Sequence, residues 1–74
     1  MNIHEFQKNA GEKLIIRFTE YRGLRLVDIR AFFLADAAEN EWKPTNKGVA
    51  MHRDHIPELL KGIEKAHKIW QKEK

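Results

Sequence analysis

The sequence predicts a small α+β domain: a mostly antiparallel sheet of three or four strands, followed by one long helix that covers it. Three observations carry this expectation. Residues 13–22 and 25–34 alternate side-chain character with period two, the repeat of a pleated strand. A third strand-like run, residues 42–51, is broken by a proline. Beyond it, apolar residues recur at three- and four-residue spacing, as they do along one side of a helix. The 74 residues allow one domain. A chain of this size buries about 60% of its unfolded surface on folding. It has no cysteine, so neither a disulfide nor a thiolate metal site reinforces the core. A homo-oligomer that shares its core is the expected remedy.

Each element follows from its residues. Residues 1–11 leave several readings open: Ile3, Phe6 and Ala10 fit one side of a helix, and Ile3-His4-Glu5-Phe6-Gln7-Lys8 fits a short edge strand equally well, with an edge strand or irregular, flexible chain the expectation. Asn9-Ala10-Gly11-Glu12 reads as a turn. In residues 13–22, Leu14, Ile16 and Phe18 share one face, and Ile15, Arg17, Thr19 and Tyr21 share the other. Arg22-Gly23 is a tight turn, because glycine tolerates positive φ. In the next strand, Leu24, Leu26, Asp28, Arg30 and Phe32 alternate with Arg25, Val27, Ile29, Ala31 and Phe33. Neither face is cleanly polar, as expected of a central strand with both faces covered or used.

Residues 35–41 are polar and acidic and are expected to form a loop. Pro44 removes a backbone donor, which places residues 42–51 at a sheet edge or in a bulge. The helix is expected over residues 55–71, completing a sheet of residues 13–51 within one domain spanning 1–74. Leu59, Leu60, Ile63, Ala66, His67 and Trp70 form its apolar stripe, opposite Lys61, Glu64, Lys65, Lys68 and Lys72. Pro57 fits only the first turn, and Asp54 is the expected N-cap. Gly62 costs about 1 kcal/mol of helix propensity relative to alanine, which a closely packed neighbour would explain.

Composition narrows the function. The formal charge is +3, from 14 Lys and Arg against 11 Asp and Glu, too mild an excess to announce a nucleic-acid binder by itself. No apolar run is long enough to cross a bilayer, so no membrane role is expected. Met1-Asn2-Ile3-His4-Glu5 has no basic segment leading into an apolar stretch, so a secretion signal is not expected. A cytoplasmic location, nucleoid association included, is the default. The four glycines are isolated and make no phosphate loop. His52 and His55 lack a third metal ligand at a sensible spacing, and the chain has no serine for nucleophilic catalysis. Glu20 and Asp28 lie beside arginines and read as charge-paired or solvated. No enzyme activity, metal or cofactor is expected.

What stands out is an interleaving of rings and cations in the middle of the chain. Arg17, Tyr21, Arg22, Arg30, Phe33, Lys43 and Lys47 lie on or next to strands, with Trp42 a further candidate contact beside Lys43. Unstacked bases need a ring to lie on, and phosphates need cations along their path. Such a surface suits single-stranded nucleic acid. The bland alternative makes Tyr21, Phe32 and Phe33 core or dimer-interface residues, and Trp70 reads as a packing residue on the helix stripe.

Tyr21-Arg22-Gly23, then Leu26-Val27-Asp28-Ile29-Arg30 and Phe32-Phe33, followed by Trp42-Lys43-Pro44-Thr45-Asn46-Lys47-Gly48-Val49, resembles the transcriptional positive coactivator family, in its p15-type C-terminal single-stranded-DNA-binding domain. Ile56-Pro57-Glu58-Leu59 also resembles its small prokaryotic members. The resemblance covers roughly residues 12–70. It implies a whirly-like α+β fold, a four-stranded curved antiparallel sheet followed by one C-terminal helix, assembled as a homodimer. It further implies binding of single-stranded or unpaired DNA, largely without sequence preference, in transcription regulation or DNA maintenance. Tyr21 and Phe33 match the stacking aromatics of the family, and Arg22, Arg30, Lys43 and Lys47 match its cationic contacts. Phe33 stands where many members have Trp, Leu24 where some have Lys, and Asn46 where some have Arg, departures that imply weaker phosphate attraction. The sequence shows no Ser- and Lys-rich tail of the eukaryotic kind. RNA and the transcription machinery are alternative partners, and a non-catalytic protein-interaction module is the rival reading.

Overall fold

The structure is a computed structural model that describes residues 2–73. Four strands, β1 (Asn2–Asn9), β2 (Glu12–Tyr21), β3 (Leu24–Asp36) and β4 (Glu41–Met51), lead through a single 3-10 turn, Arg53–His55, into helix α1 (Ile56–Lys72). The strands form one antiparallel sheet in the order β1-β2-β3-β4. The expected fold class is the observed one. Residues 2–9, open between strand and irregular chain in the sequence, form an edge strand on β2, and every one of its residues is exposed. No helix among the described residues is long and apolar enough to cross a membrane.

β2 and β3 form the backbone of the sheet. They pair without a register shift from Glu12↔Phe33 to Tyr21↔Leu24. The two-residue turn between them has positive φ at both positions, 50° at Arg22 and 80° at Gly23. That is the backbone of a type I′ turn, whose twist matches that of the flanking strands. β3 and β4 continue further than expected: Asp36 pairs with Glu41, so the acidic loop of residues 35–41 shrinks to a turn over residues 37–40. Polar residues continue the ladder there because their side chains stay in solvent at the sheet end.

β4 is both an edge strand and a bulged one. Phe32 pairs with Pro44 and Arg30 with Gly48, which leaves Thr45, Asn46 and Lys47 opposite Ala31 alone. Gly48 closes the bulge tightly against β3. A Cβ at that position would lie 2.5 Å from the Ile29 carbonyl oxygen and 2.8 Å from the Arg30 Cα, both backbone atoms. Gly48→Ala is therefore expected to destabilise the chain by about 2 kcal/mol, as an overpacked core does. Calorimetry should show a melting temperature lower by on the order of 10 °C. An unchanged melting temperature would mean that the bulge yields freely.

The core is small. Ile15, Ala31 and Phe32 are its buried apolar residues, and Asp28 is buried among them. The helix adds nothing to it. α1 contacts mainly the Arg53–His55 turn, and among the described residues none of the helix is buried. The expectation that the helix covers the sheet of its own chain is thus corrected. Its stripe carries Leu60, Ile63 and Trp70 in solvent, with Trp70 75% exposed. A Cβ at Gly62 would meet nothing within 4 Å outside its own helix among the described residues, so packing within this chain does not explain it. Asp54 is not the helix N-cap either. That position is His55, without a side-chain cap, while the Asp54 backbone N–H donates to His52 Nδ1 at 3.2 Å and so caps the 3-10 turn. Pro57 does lie in the first helical turn.

Candidate nucleic-acid interface

Alternation along the β2–β3 ladder sorts the site residues by face. Lys13, Ile15, Arg17, Thr19 and Tyr21 share a face with Leu24, Leu26, Asp28, Arg30 and Phe32. Ile16, Phe18, Arg25, Val27, Ile29 and Phe33 have the opposite parity.

The first face is organised around Asp28, a carboxylate 2% exposed. A buried charge persists only if it is paired and hydrogen-bonded. Arg17 Nε donates to Asp28 Oδ2 at 3.0 Å, and Arg30 Nη2 donates to Oδ1 at 3.0 Å. Arg30 Nε adds bonds of 3.2 Å to both oxygens. The Arg17 guanidinium also lies over the Phe32 ring, 5.1 Å from its centroid. Two cations thus share one anion, and the cluster keeps a net positive charge.

This cluster also holds the bulge. Arg30 Nη1 donates to the Thr45 carbonyl at 2.8 Å. The Thr45 hydroxyl donates to the Ala31 carbonyl at 2.8 Å and accepts from the Lys47 backbone N–H at 3.1 Å. The backbone that carries Lys47 is therefore tied to the buried carboxylate through Arg30. Gly48 allows the close approach to β3 that these bonds need.

Burial pushes the Asp28 carboxyl upward, but the hydrogen bonds and charges of Arg30 and Arg17 outweigh it and hold the group below its ordinary value of 3.8. A carboxylate depressed in the folded state stabilises the fold above its unfolded value. That stability is lost as pH falls below 3.8 and through the folded value. Melting temperature is expected to drop across that acid window, and Asp28→Asn is expected to flatten the drop. A wild-type profile no steeper than that of the variant would contradict the linkage.

The remaining candidates lie around this cluster. Tyr21 is 59% exposed at the far end of β2, with the Arg22 guanidinium 5.2 Å from its ring centroid. Phe33 is 42% exposed and pairs across the ladder with Lys43. Lys43 and Lys47 are exposed, and the Lys47 ammonium comes within 3.9 Å of Glu12. Trp42 is half-buried. Its indole N–H donates to Asn40 Oδ1 at 3.2 Å, and the Lys13 ammonium sits 4.6 Å from its ring centroid. One face of that ring is already occupied by a cation.

The structure brings Arg17 and Arg30 together on Asp28 and links them to the Lys47 bulge. It places Tyr21 with Arg22, and Phe33 with Lys43. It does not bring the two candidate stacking rings, Tyr21 and Phe33, together. Leu24, the partner of Tyr21, and Phe33 are nine positions apart along β3. That separation is about 30 Å, and their parities are opposite. Sequence reasoning passed over Thr45 as a bulge clamp, although a hydroxyl directly after a strand-breaking proline was a usable signal. It also passed over Lys13, whose place over Trp42 depends on the register of three strands.

An open antiparallel sheet with a bulged cationic edge, followed by an amphipathic helix that its own sheet leaves uncovered, defines the class: a small single-sheet α+β module. Residues 8–62 match the family model described as Transcriptional Coactivator p15 (PC4), and the chain belongs to that family. The PC4 homolog BPSL1147 of Burkholderia pseudomallei superposes with a TM-score of 0.82 at 27% identity, over 90% of this chain and 88% of that one. A second crystal form of it gives 0.83 at 25% identity, over 90% and 96%. A bacteriophage T5 homolog of the eukaryotic coactivator PC4, implicated in recombination-dependent DNA replication, shares the fold with a TM-score of 0.68 at 21% identity, over 97% and 89%. The RNA polymerase II transcriptional coactivator SUB1 of Saccharomyces cerevisiae is 34% identical over 53 residues, 72% of this chain. The chain spans only 18% of the length of that relative.

Proposed function

We propose that this chain binds single-stranded or unpaired DNA, largely without sequence preference, as a homodimer serving transcription regulation or DNA maintenance in the cytoplasm or nucleoid. One observation carries the reading. Each of the two candidate stacking rings on β2 and β3 has a cation beside it, Arg22 at Tyr21 and Lys43 at Phe33, and the Arg17 cluster and Lys47 lie between these two ends of the strands. Each ring-and-cation pair is an anchor point that stacks a base and meets its phosphate. The names of two relatives, a transcriptional coactivator and a phage protein implicated in DNA replication, agree with a DNA ligand. The homodimer rests on the uncovered helix stripe and on the small core of the single chain. The proposed role requires no catalytic group and no cofactor.

Fluorescence anisotropy with one labelled sequence as single-stranded DNA, duplex DNA and RNA, at two salt concentrations, tests the ligand. Single-stranded DNA is expected to bind tighter than duplex, with affinity falling steeply as salt rises, because phosphate contacts release counterions. Preference for duplex, or affinity indifferent to salt, would refute the reading. Tighter binding of RNA would move the assignment to RNA, through contacts to the 2′-hydroxyl.

A further inference from the structure

We infer that Asp28 is a positioning residue of this interface, holding the Arg17 guanidinium against Phe32 so that its two terminal nitrogens face a backbone phosphate of the bound strand. The inference rests on the single-stranded-DNA reading and assigns a division of labour within that site. Arg30 is tied inward at all three guanidinium nitrogens, by Asp28 at Nε and Nη2 and by the Thr45 carbonyl at Nη1. Arg17 is tied only through Nε, to Asp28. Among the described residues no hydrogen-bond partner meets its Nη1 or Nη2, and its side chain keeps 30% of its surface in solvent.

The two arginines therefore do different work. Arg30 is a brace between the buried carboxylate and the bulge. Arg17 is a fork with its stem fixed. A guanidinium presents paired donors that match a phosphate, and holding it in one pose before binding removes the cost of ordering a long side chain. Asp28 supplies the fixed end of that pose and Phe32 its flat support. The acid is buried beneath the cations, so the ligand meets positive charge first.

Simple electrostatics and positioning predict opposite signs for one substitution. Asp28→Asn removes a negative charge from the face, which by charge alone tightens DNA binding. Loss of positioning weakens it, by roughly fivefold to tenfold. The salt dependence separates the two further. One phosphate contact fewer lowers the slope of log affinity against log salt by about 0.7 on a single strand.

The experiment is a cycle of wild type, Asp28→Asn, Arg17→Gln and the double variant. Each is measured by anisotropy with labelled single-stranded DNA at several salt concentrations, with circular dichroism to check folding. Asp28→Asn is expected to weaken binding and flatten the salt slope in the wild-type background, and to do neither once Arg17 is glutamine. If Asp28→Asn tightens binding, or weakens it equally in both backgrounds, the inference is overturned while the DNA-binding reading stands. If the wild-type protein binds no single strand, the reading fails and takes the inference with it. Should Asp28→Asn not fold, Arg17→Lys decides, because it keeps the charge and loses the fork. A several-fold loss supports a positioned fork, and an unchanged affinity overturns it.

Discussion

Replacing Tyr21 and Phe33 together by alanine is expected to weaken single-stranded DNA binding by about two orders of magnitude, because each base stacked on a ring contributes about 1–3 kcal/mol. The two rings lie about 30 Å apart along the sheet, beyond the range at which substitutions usually couple. The single variants should then each lose about tenfold, and the losses should add. Tyr21 is 59% and Phe33 42% exposed and neither belongs to the buried core, so the fold should survive the change. The cations remain in place, so the slope of affinity against salt should stay close to that of the wild type. That combination, lower affinity with an unaltered slope, separates a stacking platform from a phosphate contact. Wild-type affinity in the double variant would remove the rings from the site and return them to the role of exposed surface.

Ile63→Glu should convert the proposed homodimer to monomer. Ile63 lies on the stripe with Leu60 and Trp70, and the sheet of its own chain does not cover it. If a second copy covers it, a carboxylate there must be stripped of water without a partner, a cost of several kcal/mol. A penalty of about 4 kcal/mol raises the dissociation constant of the dimer by about three orders of magnitude. Analytical ultracentrifugation should show the wild type at twice the mass of the variant, and the variant should melt lower because it no longer gains stability from association. A wild type that sediments as a monomer would refute the dimer. A variant that stays dimeric would place the interface elsewhere.

These predictions differ in what made them legible. The ring-and-cation set was visible in the sequence because residue type states the chemistry: rings stack and cations meet phosphate. Arg17, Tyr21, Arg22, Arg30, Phe33, Lys43 and Lys47 were singled out on that ground. Their division of labour was not visible. Arg17 and Arg30 are equivalent as letters, and only the register Arg17↔Asp28, with the bulge at Thr45, makes one a brace and the other a free fork. Trp42 was a candidate contact by its neighbour Lys43, yet Lys13, from a strand two positions away in the sheet, lies over its ring.

The sequence by itself determined the strands of residues 13–22, 25–34 and 42–51, the turn at Arg22-Gly23, the disruption at Pro44 and the apolar stripe of the helix, but not β1. Each of these depends on local periodicity or on the backbone freedom of one residue, and local properties can be read in order along a chain. Only the tertiary structure decided that Asp28 is buried between two arginines, that the exposed rings stand at opposite ends with opposite parity, and that the helix leaves its own sheet uncovered. Those outcomes depend on register and on which surfaces meet. A shift of one residue turns every side chain of a strand to the other face, and an amphipathic stripe does not name what it will pack against.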